Sequence, residues 1–201
     1  MNLLTHPLWQ PGDLGKPIPD SVHAVSLALP CWQDVVAYEE KEPHILDRLV
    51  SGYPRFVVHP LVQQLAQRLG GAKPCLPFPS RRVAELAAQL LGPPARVVEK
   101  DGVWGVITSA VGAGDLKLFW QHTGLIISTR QADAILTGRV VHDDPAIRDS
   151  LRRQLAALYD CAPGDVFLQP TGMAALFAAW RAARTRAPDQ PTAQLGFPYV
   201  D

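Results

Sequence analysis

The alternation of helical and extended patterns between Asp144 and Val200 constrains the fold of this chain more than any other feature. Asp144-Pro145 predicts a capped helix start with proline at the first helical position, and Ile147, Leu151, Leu155 and Leu158 follow at helical spacing. Pro163-Gly164 turns into Asp165–Gln169, where Val166, Phe167 and Leu168 predict a short buried strand. Pro170-Thr171-Gly172 leads into a second helix, with Met173, Leu176, Phe177, Trp180 and Ala183 expected on one inward face. Gln194–Val200 predicts the next strand. Helix, strand, glycine turn, helix, strand is the order of a parallel α/β sheet. Two strands cannot bury both faces of such a sheet, so an incomplete domain is expected, its exposed edge beside Gln194–Val200.

The preceding residues have a different character. Residues 1–30 carry Pro7, Pro11, Gly12, Gly15, Pro17, Pro19 and Pro30, which predict an extended lead-in draped over another part of the molecule. Helical pieces are expected between 32 and 70, one with Ile45, Leu46, Leu49 and Val50 on its face, another with Leu61, Leu65 and Leu69 behind Pro60. A helix from Ser80, with Val83, Leu86, Leu90 and Leu91 inward, should stop at Gly92-Pro93-Pro94. Arg96–Lys100 and Val103–Ser109 flank Asp101-Gly102, a strong hairpin signal. The expected organisation is therefore an extended segment (1–30), a helical and hairpin extension (31–140), and the start of an α/β domain (141–201).

Composition excludes several function classes. Among 201 residues, Lys plus Arg and Asp plus Glu each number 19, so no net field draws the chain to nucleic acid or an anionic membrane. No apolar run reaches the roughly 18–20 residues of a membrane span. The opening Met1-Asn2-Leu3-Leu4-Thr5-His6 lacks the basic and apolar regions of a secretory signal. The three cysteines, Cys31, Cys75 and Cys161, match neither a disulfide framework nor a zinc site, and a reduced cytoplasmic compartment is expected.

Chemistry concentrates at Gln169-Pro170-Thr171-Gly172-Met173-Ala174-Ala175. A glycine there allows close backbone approach where a helix begins. The free N–H groups of the first turn, with the helix dipole, make a phosphate site. Thr171 can add a hydroxyl donor. Ordinary packing geometry is the competing reading of such a turn. His122, in Trp120-Gln121-His122-Thr123-Gly124, is expected to be a packed, hydrogen-bonded histidine rather than a catalytic base. No second histidine or carboxylate stands at ligand spacing, and no metal site is expected.

The string FLQPTGMAALFAAW resembles the SGMAA phosphate loop of the Cys/Met-metabolism pyridoxal-phosphate (PLP) enzymes. GFPYVD sits where that family places its ring-stacking tyrosine. Three earlier segments, GKPIPDSVHAVSLALPCWQDVVAYEE, SGYPRFVVHPLVQQLA and FWQHTGLIISTRQAD, resemble the cystathionine γ-synthases best known from fungi. The resemblance runs from Gly15 to Asp201. It implies the N-terminal part of a fold-type-I, aspartate-aminotransferase-like PLP enzyme that replaces the γ-acyl group of an activated homoserine with cysteine, giving cystathionine.

By the same resemblance, Gly172 and Met173 offer backbone N–H groups to the cofactor phosphate with Thr171 beside them, and Tyr199 stacks on the pyridine ring. The family also clamps that phosphate with a Tyr-x-Arg pair from a neighbouring subunit, which implies a homo-oligomer, a dimer or dimer of dimers. Tyr53 and Arg55 have the right residue types but lie far upstream; Arg130 lies closer to the expected place with no tyrosine before it. A surface or structural arginine is the competing reading for each. The five lysines (Lys16, Lys41, Lys73, Lys100 and Lys117) all precede the phosphate loop, whereas the family's Schiff-base lysine follows it. The chain is therefore expected to be an inactive fragment on its own. Cystathionine elimination, direct sulfhydrylation and a non-catalytic or decayed relative remain open alternatives.

Overall fold

The computed structural model describes residues 8–49, 57–139, 144–193 and 195–196. The lead-in forms a two-stranded antiparallel ribbon, β1 (Pro17–Ile18) with β2 (Ser26–Leu27), closed by hydrogen bonds from Gly15 N to Ala28 O and from Ala28 N to Lys16 O. Helices α1 (Trp32–Glu39) and α2 (Pro43–Leu46) follow, and Ile45 is fully buried. The lead-in drapes over the later chain, with His23 Nδ1 3.2 Å from the Thr129 hydroxyl.

The centre is a three-stranded antiparallel sheet in the order β3-β5-β4, from β3 (Cys75–Phe78), β4 (Arg96–Lys100) and β5 (Val103–Ile107). Helix α3 (Pro60–Gly70) precedes β3, and α4 (Arg81–Leu91) links β3 to β4. Helices α5 (Ala113–Thr123) and α6 (Thr129–Leu136) follow β5. The central strand β5 is covered on both faces, and its side chains alternate between two cores. Val106 joins Phe78, Ala84, Ala87, Leu116, Trp120 and Ile126, the cluster of α4 and α5. Val103 joins Val62, Leu65, Ile127 and Ala132, the cluster of α3 and α6. The adjacent Ile126 and Ile127 thus enter different cores, which pins the α5–α6 connection between them.

The hairpin forms as the sequence predicts. Asp101 and Gly102 have φ of 55° and 75°, the paired positive values of the turn whose twist matches antiparallel strands. Helix α4 starts at its expected cap, Ser80, and Gly92 closes it. Its inward face differs in part from expectation. Ala84 and Ala87 are buried, Val83 and Leu86 are half-buried, and Leu90 is 62% exposed. Val83 and Leu91 pack against the core as expected, while the small side chains of Ala84 and Ala87 let the helix lie close on the sheet and take the fully buried positions.

The last third corrects the sequence reading at three points. Asp144 caps α7 (Pro145–Leu158) through Ala146 N, but most of the stripe faces solvent: Ile147 is 60% and Leu158 74% exposed, Leu155 is half-buried, and Ala156 is the buried residue of this helix. The expected strand at Asp165–Gln169 is instead a single 3₁₀ turn, Pro163–Asp165, followed by unpaired residues. Val166 has extended dihedrals (φ −97°, ψ 115°), yet a strand needs a hydrogen-bonded neighbour and the described residues supply none. Phe167 is accordingly 79% exposed. All strand pairs among the described residues are antiparallel, so the expected parallel sheet has no pair there. The third point is α8 (Gly172–Arg186), which begins where expected but buries Ala174, with Met173 and Phe177 half-buried. Leu176 and Trp180, expected inward, are exposed. Most of the expected strand Gln194–Val200 lies outside the described residues.

Candidate functional site

The first turn of α8 is fixed by one side chain. Thr171 stands in extended conformation at the N-cap (φ −145°, ψ 162°), and its Oγ1 accepts a hydrogen bond from Ala174 N at 3.0 Å. The same hydroxyl donates to the carbonyl of Gly124 at 2.9 Å, across 47 residues of sequence. A hydroxyl has one proton. That of Thr171 is committed to Gly124, so in this structure the residue caps and anchors the turn.

Ala174 N is satisfied by the cap, whereas the N–H groups of Gly172 and Met173 come too early in the helix for an intrahelical partner. Gly172 begins the helix, and a Cβ placed on it would meet nothing within 4 Å, so the backbone here is open to an approaching ligand. No acidic residue stands in the first turn to neutralise the positive end of the helix dipole, while Arg184 and Arg186 complement its negative end. The arrangement suits an anion with several acceptor oxygens.

Gly124 is the residue that sequence reasoning passed over. It ends α5 in the left-handed region (φ 64°), and a Cβ there would collide with Thr171 Oγ1 and lie 2.8 Å from Met173 Cβ and 2.9 Å from Ala174 N. The Thr123-Gly124 pair at a helix end signals a glycine C-cap. Nothing in that signal reveals the helix it meets. Beside this contact a cleft of about 630 Å³ separates α4 from α8, with Leu86, Leu125 and Phe177 in its wall. Arg82 and Arg181 also line it, and the Arg181 guanidinium sits 5.8 Å from the Phe177 ring centroid.

The structure brings Thr171, Gly172 and Met173 together in one turn. Arg130 lies exposed near the start of α6, and no hydrogen bond or ion pair among the described residues joins it to that turn. Tyr53, Arg55 and Tyr199 lie outside the described residues. His122, expected to be packed, is exposed; it falls two positions past Trp120, on the side of α5 away from buried Leu116, Trp120 and Thr123. All five lysines are exposed. Among the described residues no group of three or more His, Cys, Asp or Glu side chains is placed to hold a metal, and no helix is long and apolar enough to cross a membrane.

A mixed α/β chain with an open, glycine-started helix for an anion fits an enzyme, and sequence comparison specifies the kind. The cystathionine gamma-synthase of Saccharomyces cerevisiae is 31% identical over 159 residues, covering 65% of this chain and 25% of that protein. That of Neurospora crassa is 30% identical over 159 residues, covering 61% of this chain and 26% of the relative. The L-2-amino-4-chloropent-4-enoate dechlorinase/desaturase of Streptantibioticus cattleyicolor is 34% identical over 185 residues, covering 82% of this chain and 36% of the relative. The chain is a relative of the cystathionine gamma-synthase-like enzymes, matched over a part that spans well under half of each of these proteins. No family model matches the sequence. No solved structure matches it either.

Proposed function

We propose that this chain is the phosphate-loop part of a PLP-dependent enzyme of Cys/Met metabolism, acting by γ-replacement on an O-acyl-homoserine with cysteine. The observation that carries the reading is the Thr171–Met173 turn, capped and opened by glycine, in a relative of cystathionine gamma-synthases. The phosphate end of the cofactor suits the open amides of Gly172 and Met173. When bound, PLP supplies an electron sink for negative charge developing on the amino-acid substrate. Thr171 holds the turn in register, and Tyr199 supports the ring by stacking. Arg130, or the pair Tyr53 and Arg55, is the candidate for a second phosphate contact, made across a homo-oligomer interface in the cytoplasm. In this reading residues 141–201 open the fold-type-I large domain and 31–140 form an extension before it.

A second reading draws on the dechlorinase/desaturase, whose similarity covers more of the chain than that of the two synthases. The same cofactor turn would then serve an elimination on an unsaturated or halogenated amino acid. Product analysis separates the two. The protein carrying this chain, supplied with PLP, O-acyl-homoserine and cysteine, is expected to form cystathionine. Formation of a 2-oxo acid and ammonia instead, with no cystathionine, would establish elimination. Loss of neither substrate in the presence of PLP would overturn the γ-replacement reading, and failure also to consume an unsaturated, halogenated amino acid would overturn the second.

A further inference from the structure

The carbonyl that accepts the Thr171 hydrogen bond is held from both sides by the region preceding the phosphate turn. Upstream, Leu116 and Trp120 anchor α5 in the core, each 1% exposed. Thr123 Oγ1 donates to Phe119 O at 2.8 Å and accepts from Leu125 N at 3.3 Å, tying down the backbone on either side of Gly124. Downstream, Ile126 and Ile127 are buried in the two separate cores. Gly124 O therefore has little freedom to move without disturbing the sheet.

We infer that Gly124 is a positioning residue for the cofactor-phosphate turn, and that the region before residue 140 is a structural part of that site; this rests on the function proposed above. Donation to Gly124 O selects one orientation of the Thr171 hydroxyl, whose lone pair then accepts from Ala174 N. The third amide of the helix is thereby consumed, and those of Gly172 and Met173 are left without an intrahelical partner. Glycine is required at 124 for two independent reasons. The backbone is left-handed there, and a Cβ would press on Thr171, Met173 and Ala174, the residues that set the turn. Any larger residue must move the turn or the end of α5.

The test uses the 201-residue chain and pyridoxine 5′-phosphate, which carries the phosphate ester but no aldehyde to react with surface lysines. Binding is followed by phosphorus NMR, and the first turn by amide hydrogen exchange at Ala174. Gly124→Ala and the near-isosteric Thr171→Val are expected to speed exchange at Ala174 and weaken binding on the order of tenfold, the scale of one lost helix cap. Thr171→Ser, which keeps the hydroxyl, is expected to retain both properties. Ile45→Val, a core change remote from the turn, should lower thermal stability without changing affinity.

Folded Gly124→Ala or Thr171→Val protein with faster Ala174 exchange but unchanged affinity would overturn the inference and leave the proposed function standing. Exchange at Ala174 unaltered in both variants would overturn it as well. If the unsubstituted chain itself fails to bind pyridoxine 5′-phosphate, the proposed function fails and the inference falls with it.

Discussion

His59 sits at the junction of the lead-in and α3, where it is buried. Its Nδ1 accepts from Leu61 N at 3.2 Å and so caps α3, while the ring also hydrogen-bonds the Val22 backbone. Burial lowers its pKa below 6.5, and nearby His23 pushes the same way, against the raising effect of the Val22 bond. His23 itself faces the Thr129 hydroxyl and Asp133, which also pairs with Arg139. Below pH 6.5 the unfolded chain takes up a proton at position 59 that the folded chain resists. The stability associated with neutral His59 is therefore complete above that pH and is lost as pH falls through the lower folded-state pKa. Urea midpoints measured from about pH 7.5 down to about pH 5 should fall, and His59→Asn, which can still cap, should flatten the decline. An unchanged slope in His59→Asn would refute this assignment. Cys75 shows the same effect on a thiol, its pKa raised to about 12 by burial, so it is not a nucleophile.

At the level of elements, local signals set where pieces begin and end, and neighbours set which way they face. The β4–β5 hairpin was legible because Asp101-Gly102 demands a turn that only paired strands can use. Gly102→Ala forces a side chain into φ 75° and should cost about 1 kcal/mol in denaturant unfolding, with no change in the residues that pair. A loss of zero would mean that the turn does not hold the hairpin. The face of α4 was legible only in part: Val83 and Leu91 pack on the core as their spacing predicts, but Ala84 and Ala87 take its centre and Leu90 faces solvent. The centre of that face was chosen by how closely the helix approaches β5. In the same way, Asp165–Gln169 has the composition of a buried strand but lacks a partner among the described residues.

The whole molecule divides into a well-covered sheet and a less covered last third. Between residues 57 and 139 four helices enclose three strands. By contrast, Ile147, Leu151 and Leu158 of α7, with Phe167, Leu176 and Trp180, expose large apolar side chains close together in sequence. Exposed large apolar side chains favour association where they lie together. Sedimentation of the 201-residue chain should show self-association that grows with concentration. Ile147→Glu combined with Leu151→Glu should reduce it without lowering the unfolding midpoint, because neither residue is buried. A monodisperse monomer at all concentrations would count against this surface being adhesive.

The sequence alone determined the helix starts at Pro60, Ser80, Pro145 and Thr171-Gly172, the hairpin, and the kinship carried by the turn at 171–173. Each of these depends on a few adjacent residues whose backbone preferences and hydrogen-bonding groups act locally. Tertiary structure decided which residues centre the inward faces of α4 and α8, the lack of a strand partner for 166–169 among the described residues, and the exposure of His122. It also decided the meeting of Gly124 with Thr171, because a contact spanning 47 residues is set by how two cores stack around β5. A glycine at a helix end looks the same in sequence whether it faces water or another helix. Only packing tells them apart.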